Sequence, residues 1–210
     1  MLLSLIARRH VLALAVSAVS FCASGHAFAA LAVGQSAPDF TLTDTAGKTV
    51  RLSDFKGKHV VLEWTNPGCP FVRKHYDSAN MQTLQKETTA KGVVWLAVNS
   101  TETASGDYLA PQQLARWMAG QKAAPSATLM DEDGTVGKAY GARTTPHMYI
   151  VNPQGMLTYA GGIDSIPSAR VDDIKMATNF VRQGVNEALA GKAISTPISR
   201  PYGCSIKYKS

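Results

Sequence analysis

The stretch Trp64–Tyr76 reads WTNPGCPFVRKHY and carries one thiol, Cys69, between Gly68 and Pro70. A cysteine where an apolar run gives way to a helix is placed to act as a nucleophile. The unpaired N–H groups and the dipole at a helix N-terminus favour the thiolate, which is the reacting form. Pro70 suits the first helical position, because its missing N–H would find no partner there. Arg73 and Lys74, one turn on, add positive charge if they lean back. A vicinal dithiol would carry its second sulfur three residues after the first, and that position holds Val72. The other thiol available is distant: Cys204, in the tail segment RPYGCSI, where Pro201 and Gly203 predict a loop able to reach Cys69. Upstream, Glu63 is the one polar residue in an apolar run. A buried carboxylate holds a raised pKa and can give or take a proton near neutral pH, unless it faces solvent or pairs with a lysine. His75 and His147 are surface or hydrogen-bonded core histidines rather than metal ligands, and no cofactor or metal is implied.

These groups need a scaffold, and the pattern predicts one. Ala37–Leu42 and Thr49–Leu52 flank the turn Ala46-Gly47 and read as a hairpin. His59–Trp64 and Val93–Asn99 are buried-strand runs separated by a helix from about Pro70 to Ala90. Pro111 opens an amphipathic helix with Leu114, Trp117 and Met118 on one face. A short strand follows at Ala127–Met130, ended by Asp-Glu-Asp-Gly. Met148–Val151 and Met156–Tyr159 form an antiparallel hairpin, and Val171–Ala190 has helical spacing. The order is a β-hairpin, then βαβα, then ββα, which requires a mixed sheet with a parallel core. Reactive groups collect at the carboxyl ends of such strands, and Cys69 follows one.

The chain has 210 residues, 45% hydrophobic and 17% charged, which describes a globular protein. Residues 1–29 stand apart. Arg8 and Arg9, an apolar run over Val11–Phe21 and Ala27-Phe28-Ala29 have the layout of a cleaved export signal, the run being too short to span a bilayer. Removing them takes two arginines and no acids, so the formal net charge falls from +6 to +4. The remaining cations are scattered, which argues against nucleic-acid binding. Cleavage also removes Cys22 and leaves Cys69 and Cys204. In an oxidising compartment two cysteines are by default a structural disulfide, and that reading stands beside the catalytic one. The expected layout is a signal over 1–29, a domain over 34–190 and a tail over 191–210 carrying Cys204, in a periplasmic or secreted protein without stable membrane insertion.

Trp64, then Gly68-Cys69-Pro70 with Arg73-Lys74, and later Thr144-Thr145-Pro146 before a closing hairpin, together resemble the thioredoxin superfamily. Ala37-Pro-Asp-Phe-Thr-Leu and Leu52-Ser-Asp-Phe-Lys-Gly-Lys resemble its redoxin branch, of the alkyl hydroperoxide reductase/thiol-specific antioxidant type. The resemblance implies an α/β thioredoxin-like fold, a mixed central sheet flanked by helices with an N-terminal hairpin. It implies a thiol oxidoreductase: Cys69 attacks a peroxide or a protein disulfide, and a thioredoxin-like external reductant restores it. Glu63 would be the buried acid, and Thr145-Pro146 a cis-proline loop facing Cys69 that pairs with an extended substrate chain. Arg143, Trp64 and Pro70 would bound the substrate site. Cys204 would be a distant resolving cysteine. The sequence departs from both familiar patterns, lacking the second cysteine at Val72 and, with Leu62 and Asn66, the residues that precede a peroxidatic cysteine. A non-catalytic thioredoxin-fold module for a partner or copper, with Cys69–Cys204 as a staple, is the alternative.

Overall fold

The computed structural model describes residues 31–209. The expected export signal at 1–29 lies outside them. Strands β1 (Thr41–Asp44) and β2 (Thr49–Arg51) form the N-terminal hairpin, and a 3-10 turn over Leu52–Phe55 leads into β3 (Val60–Trp64). Then come α1 (Pro70–Asp77), α2 (Asn80–Thr89), β4 (Val94–Asn99), α3 (Pro111–Gly120), β5 (Ala127–Met130) and α4 (Thr135–Tyr140). The second half contains β6 (Thr144–Thr145), β7 (His147–Val151), β8 (Leu157–Gly161), α5 (Phe180–Leu189) and β9 (Cys204–Ser205).

Seven strands make one sheet in the order β2-β1-β5-β4-β3-β7-β8. β3, β4 and β5 run parallel, while the pairs β1–β5, β3–β7 and β7–β8 are antiparallel. The parallel strands are apolar on both faces because helices cover both. Alternation along β3 divides its side chains. Val61 joins a core with α1, α2, α3 and α5 through Val72, Leu84, Leu114 and Val181, whereas Leu62 and Trp64 join Leu96, Leu129 and Tyr140 on the other face. The expected mixed sheet and hairpins are present.

Four local features differ from expectation. The stretch over Val171–Ala190, read as helical throughout, is a 3-10 turn over Val171–Lys175 followed by α5, which starts afresh where Asn179 caps it by accepting from Arg182 N–H. The helix over 70–90 is broken, because Ser78 turns its hydroxyl back onto the carbonyls of Lys74 and His75, and Ala79 adopts a left-handed φ of 59°. Asp-Glu-Asp-Gly, read as a strand-ending turn, also starts a helix: Asp131 accepts from the amides of Val136 and Gly137 and anchors α4. The tail, read as a polar loop, is docked along its length. Ser199 N–H donates to Ala160 O, Ile206 N–H to Arg143 O, and Glu102 N–H to Lys207 O. Glycines make its seats, since a Cβ at Gly161 would lie 2.3 Å from Ser199 Oγ and one at Gly137 2.3 Å from the Tyr208 hydroxyl.

Candidate active site

β3 delivers the chain to the thiol, and Asn66 shapes the approach. Its Oδ1 accepts from Gly68 N–H at 2.7 Å, its amide donates to Thr101 Oγ1 at 2.7 Å, and its carbonyl accepts from Cys69 N–H at 3.0 Å. Cys69 is the N-cap of α1 in extended conformation, with Pro70 next. Its carbonyl accepts from Val72 and Arg73, each at 3.0 Å, and its side chain caps nothing, so the sulfur is free for other work.

That sulfur lies between two strands. The Thr145–Pro146 peptide bond is cis, and β6 pairs antiparallel with β9, Thr145 opposite Cys204. Cys69 Sγ donates to Thr145 O at 3.0 Å and accepts from the Cys204 amide at 3.4 Å. It therefore takes up the position of a ladder bond between the cis-proline loop and the tail. Cys69 is 3% exposed and Cys204 is half-buried, both as free thiols. Burial, together with the hydrogen bond and charge of the neighbouring Cys69 sulfur, pushes the Cys204 thiol up to about 12. A cavity of about 30 Å³ is lined by Cys69 together with Asn66, Thr101, Asp107, Cys204 and Lys207 among others.

The other sequence-derived residues fall in different places. Thr145 and Pro146 are at the thiol. Pro70 is exposed beside it. Glu63 is fully buried and accepts from Tyr76 Oη and Trp95 Nε1, both at 2.8 Å, and from Gln85 Nε2 at 3.1 Å. Burial raises its pKa against the pull of these donors. It is bonded under α1 and α2, and no hydrogen bond joins it to Cys69. Trp64 is not brought to the thiol either. Alternation turns it to the opposite face, where its indole donates to Ser100 Oγ at 3.0 Å and packs on Tyr140 and Tyr149. Arg143 is exposed and serves the tail through its carbonyl. His147 is buried, bonded to Tyr149 Oη and the Arg143 amide, and lowered to about 4 by burial. Lys74 does not lean back toward Cys69 but is buried against Asp164 at 3.3 Å. Among the described residues, no cluster of three or more His, Cys, Asp or Glu is arranged to hold a metal.

Sequence reasoning missed Tyr202 and Asp164. Tyr202 is buried, with its hydroxyl donating to Asp164 Oδ1 at 2.5 Å and lying 3.2 Å from His75 Nε2. A tyrosine two residues before the cysteine of a polar tail was the available signal; nothing marks Asp164 as its partner.

Thiol-disulfide oxidoreductase ResA of Bacillus subtilis (strain 168) is 30% identical over 122 residues, 58% of this chain and 63% of that protein. ResA of Geobacillus thermodenitrificans (strain NG80-2) is 28% identical over 154 residues, 72% of this chain and 83% of that protein. The chain thus spans less than two thirds of the first relative's length. Among solved structures, an uncharacterized conserved protein from Geobacillus kaustophilus superposes with a TM-score of 0.69 at 28% identity, over 85% of this chain and 93% of that one. The thioredoxin domain of a thiol-disulfide oxidoreductase from Bacteroides vulgatus gives 0.51 at 23% identity, over 70% and 98%, and shares the fold. Residues 33–160 match the AhpC/TSA family model, and the chain belongs to that family, within the thioredoxin superfamily.

Proposed function

We propose that the chain is an exported thiol oxidoreductase in which Cys69 is the nucleophile and Cys204 its resolving partner. The observation that supports it most is the Cys204 amide lying 3.4 Å from Cys69 Sγ, on a strand paired with the cis-proline loop. The backbone that carries the Cys204 sulfur is thus already beside the Cys69 sulfur in the reduced protein. Export rests on the layout of residues 1–29, and no described helix is long and apolar enough to cross a membrane.

With a hydroperoxide, the Cys69 thiolate attacks the terminal oxygen. The O–O bond breaks, water or an alcohol leaves after taking up a proton, and the sulfur becomes a sulfenic acid. Cys204 then gives up its proton and attacks that sulfur; the S–O bond breaks and the oxygen leaves as water, forming the Cys69–Cys204 disulfide. With a disulfide substrate, Cys69 forms a mixed disulfide and releases one thiolate, and Cys204 displaces the second. Either way an external dithiol of the thioredoxin type supplies the two electrons that reopen the bond. A cavity of about 30 Å³ admits only a small oxidant while β9 is in place, which favours a peroxide for the first step in the docked state.

Oxidation also prepares the second step. Part of what holds Cys204 protonated is the Cys69 sulfur itself. A neutral sulfenic acid no longer opposes the second thiolate as a charged sulfur does, so Cys204 becomes the better nucleophile once it is needed.

Mass spectrometry after one equivalent of hydrogen peroxide tests this reading. Wild type should gain a Cys69–Cys204 disulfide, and Cys204→Ser should stop at an oxidised, trappable Cys69. A disulfide with a potential below about −300 mV, or a Cys204→Ser variant that turns over as fast as wild type, would instead identify a structural staple.

A further inference from the structure

Tyr202 stands at the centre of a buried ionic cluster that the redox chemistry does not use. Its hydroxyl donates to Asp164 Oδ1 at 2.5 Å and is met by His75 Nε2 at 3.2 Å and Lys74 Nζ at 3.5 Å. Lys74 Nζ also bonds Asp164 Oδ2 at 3.3 Å and the carbonyl of Ile166 at 3.1 Å. The ring packs edge-on against Phe71, centroids 5.9 Å apart. Phe71, Lys74 and His75 all belong to α1, the helix whose N-cap is Cys69. One rigid helix thus carries the nucleophile at its start and the seat of the tail tyrosine along its side.

Only Gly203 separates Tyr202 from Cys204, and Gly203 lies flat against Thr145: a Cβ there would come 2.0 Å from that carbonyl oxygen. With Gly203 fixed against Thr145, the segment Tyr202–Cys204 has little slack, so the position of Tyr202 on α1 determines how Cys204 faces Cys69.

Resting on the reading above, we propose that Tyr202, held by Asp164, Lys74 and His75, is the positioning residue that sets the effective concentration of Cys204 at Cys69. The second covalent step is an intramolecular attack, and its rate depends on how often the attacking sulfur is in place. No hydrogen bond joins the Tyr202 hydroxyl to either sulfur, and hydrogen peroxide is small enough for the cavity at Cys69 with the tail docked, so the first step with that oxidant does not depend on it.

Tyr202→Phe keeps the ring and removes the hydroxyl. Hydrogen bonds to charged groups carry enough energy that its loss should slow disulfide closure by about ten- to a hundredfold. Closure is read by quenched mass spectrometry on the full chain after a peroxide pulse. The equilibrium constant of the Cys69–Cys204 bond against dithiothreitol should fall by a similar factor. The second-order rate of Cys69 oxidation should stay within about twofold of wild type. Asp164→Asn, which keeps the shape but removes the charge, provides a second variant should the first fold poorly, and should shift the same two quantities. If wild type closes and both folded variants close as fast with an unchanged equilibrium constant, the positioning role is overturned while the resolving cysteine stands. If wild type never forms the bond, the parent reading fails and this one with it.

Discussion

Gly203 lies against the carbonyl of Thr145 so closely that any side chain at 203 would collide with it, at 2.0 Å from the oxygen and 2.7 Å from the carbon. Its φ of 140° is also one that only glycine adopts freely. Gly203→Ala should therefore undock β9, at a cost of about 1–3 kcal/mol from the backbone alone. Cys69, now 3% exposed, should be alkylated at least about five times faster in the reduced variant. Unchanged protection of Cys69 would show that the tail does not shield it.

The raised Cys204 thiol makes a pH prediction. In the reduced protein its folded value lies near 12, above the reference of 9.0. The stability it contributes to tail docking is fully present below pH 9 and is lost as the pH climbs toward 12. Since Cys69 supplies part of the shift, Cys69→Ala should lower the pH midpoint of Cys204 alkylation. A midpoint that stays put would assign the whole shift to burial.

Two buried histidines act at the other end of the scale. Burial, the main cause in each, holds His75 and His147 down to about 4 from 6.5. The unfolded chain binds protons there that the folded chain refuses, so stability is lost as the pH falls from about 6.5 to 4, by about 2.7 kcal/mol per pH unit where both contribute. Urea unfolding across that range measures the slope, and a flat profile from pH 7 to 5 would contradict it.

Glu63 faces three donors, from Tyr76, Trp95 and Gln85. Glu63→Gln puts an N–H₂ among them and should cost about 1–3 kcal/mol of stability. Cys69 oxidation should change little, because the carboxylate does not bond the sulfur. A hundredfold loss of rate at unchanged stability would restore Glu63 as a proton carrier.

What could be read from the residues was what depends on local pattern. The apolar runs around Leu62 and Leu96 are long and β-branched, and Gly68-Cys69-Pro70 marks a helix start, so the sheet and the place of Cys69 at the head of α1 were legible. Thr144-Thr145-Pro146 signalled the loop opposite. The misses depend on contacts far apart in the chain. Glu63, expected to be a buried acid with a raised pKa, is one, whereas its neighbour Trp64 faces the opposite layer, and that it turns away from the thiol follows from the packing there. The tail is polar because it lies on the surface, yet it is held by backbone bonds and glycine seats that no periodicity reveals. Asp164 and Tyr202, 38 residues apart, meet only once the tail has docked.

The tail has two jobs at separate places along it. Around Pro197–Ser199 it pairs with Ala160 of β8, the last strand of the sheet, with Ala160 N–H donating to Pro197 O at 3.1 Å and Ser199 N–H to Ala160 O at 3.2 Å. Further on, Tyr202–Ser205 sits on α1 and β6. An open edge strand is a template for unwanted pairing between molecules. The bonds that cover this edge, at Pro197 and Ser199, are separate from those that hold Tyr202–Ser205, so a change at the thiol-facing segment does not of itself uncover the margin of the sheet. An edge covered in this way offers no free row of backbone groups at Ala160 for a second molecule to pair with, whatever happens at Cys69.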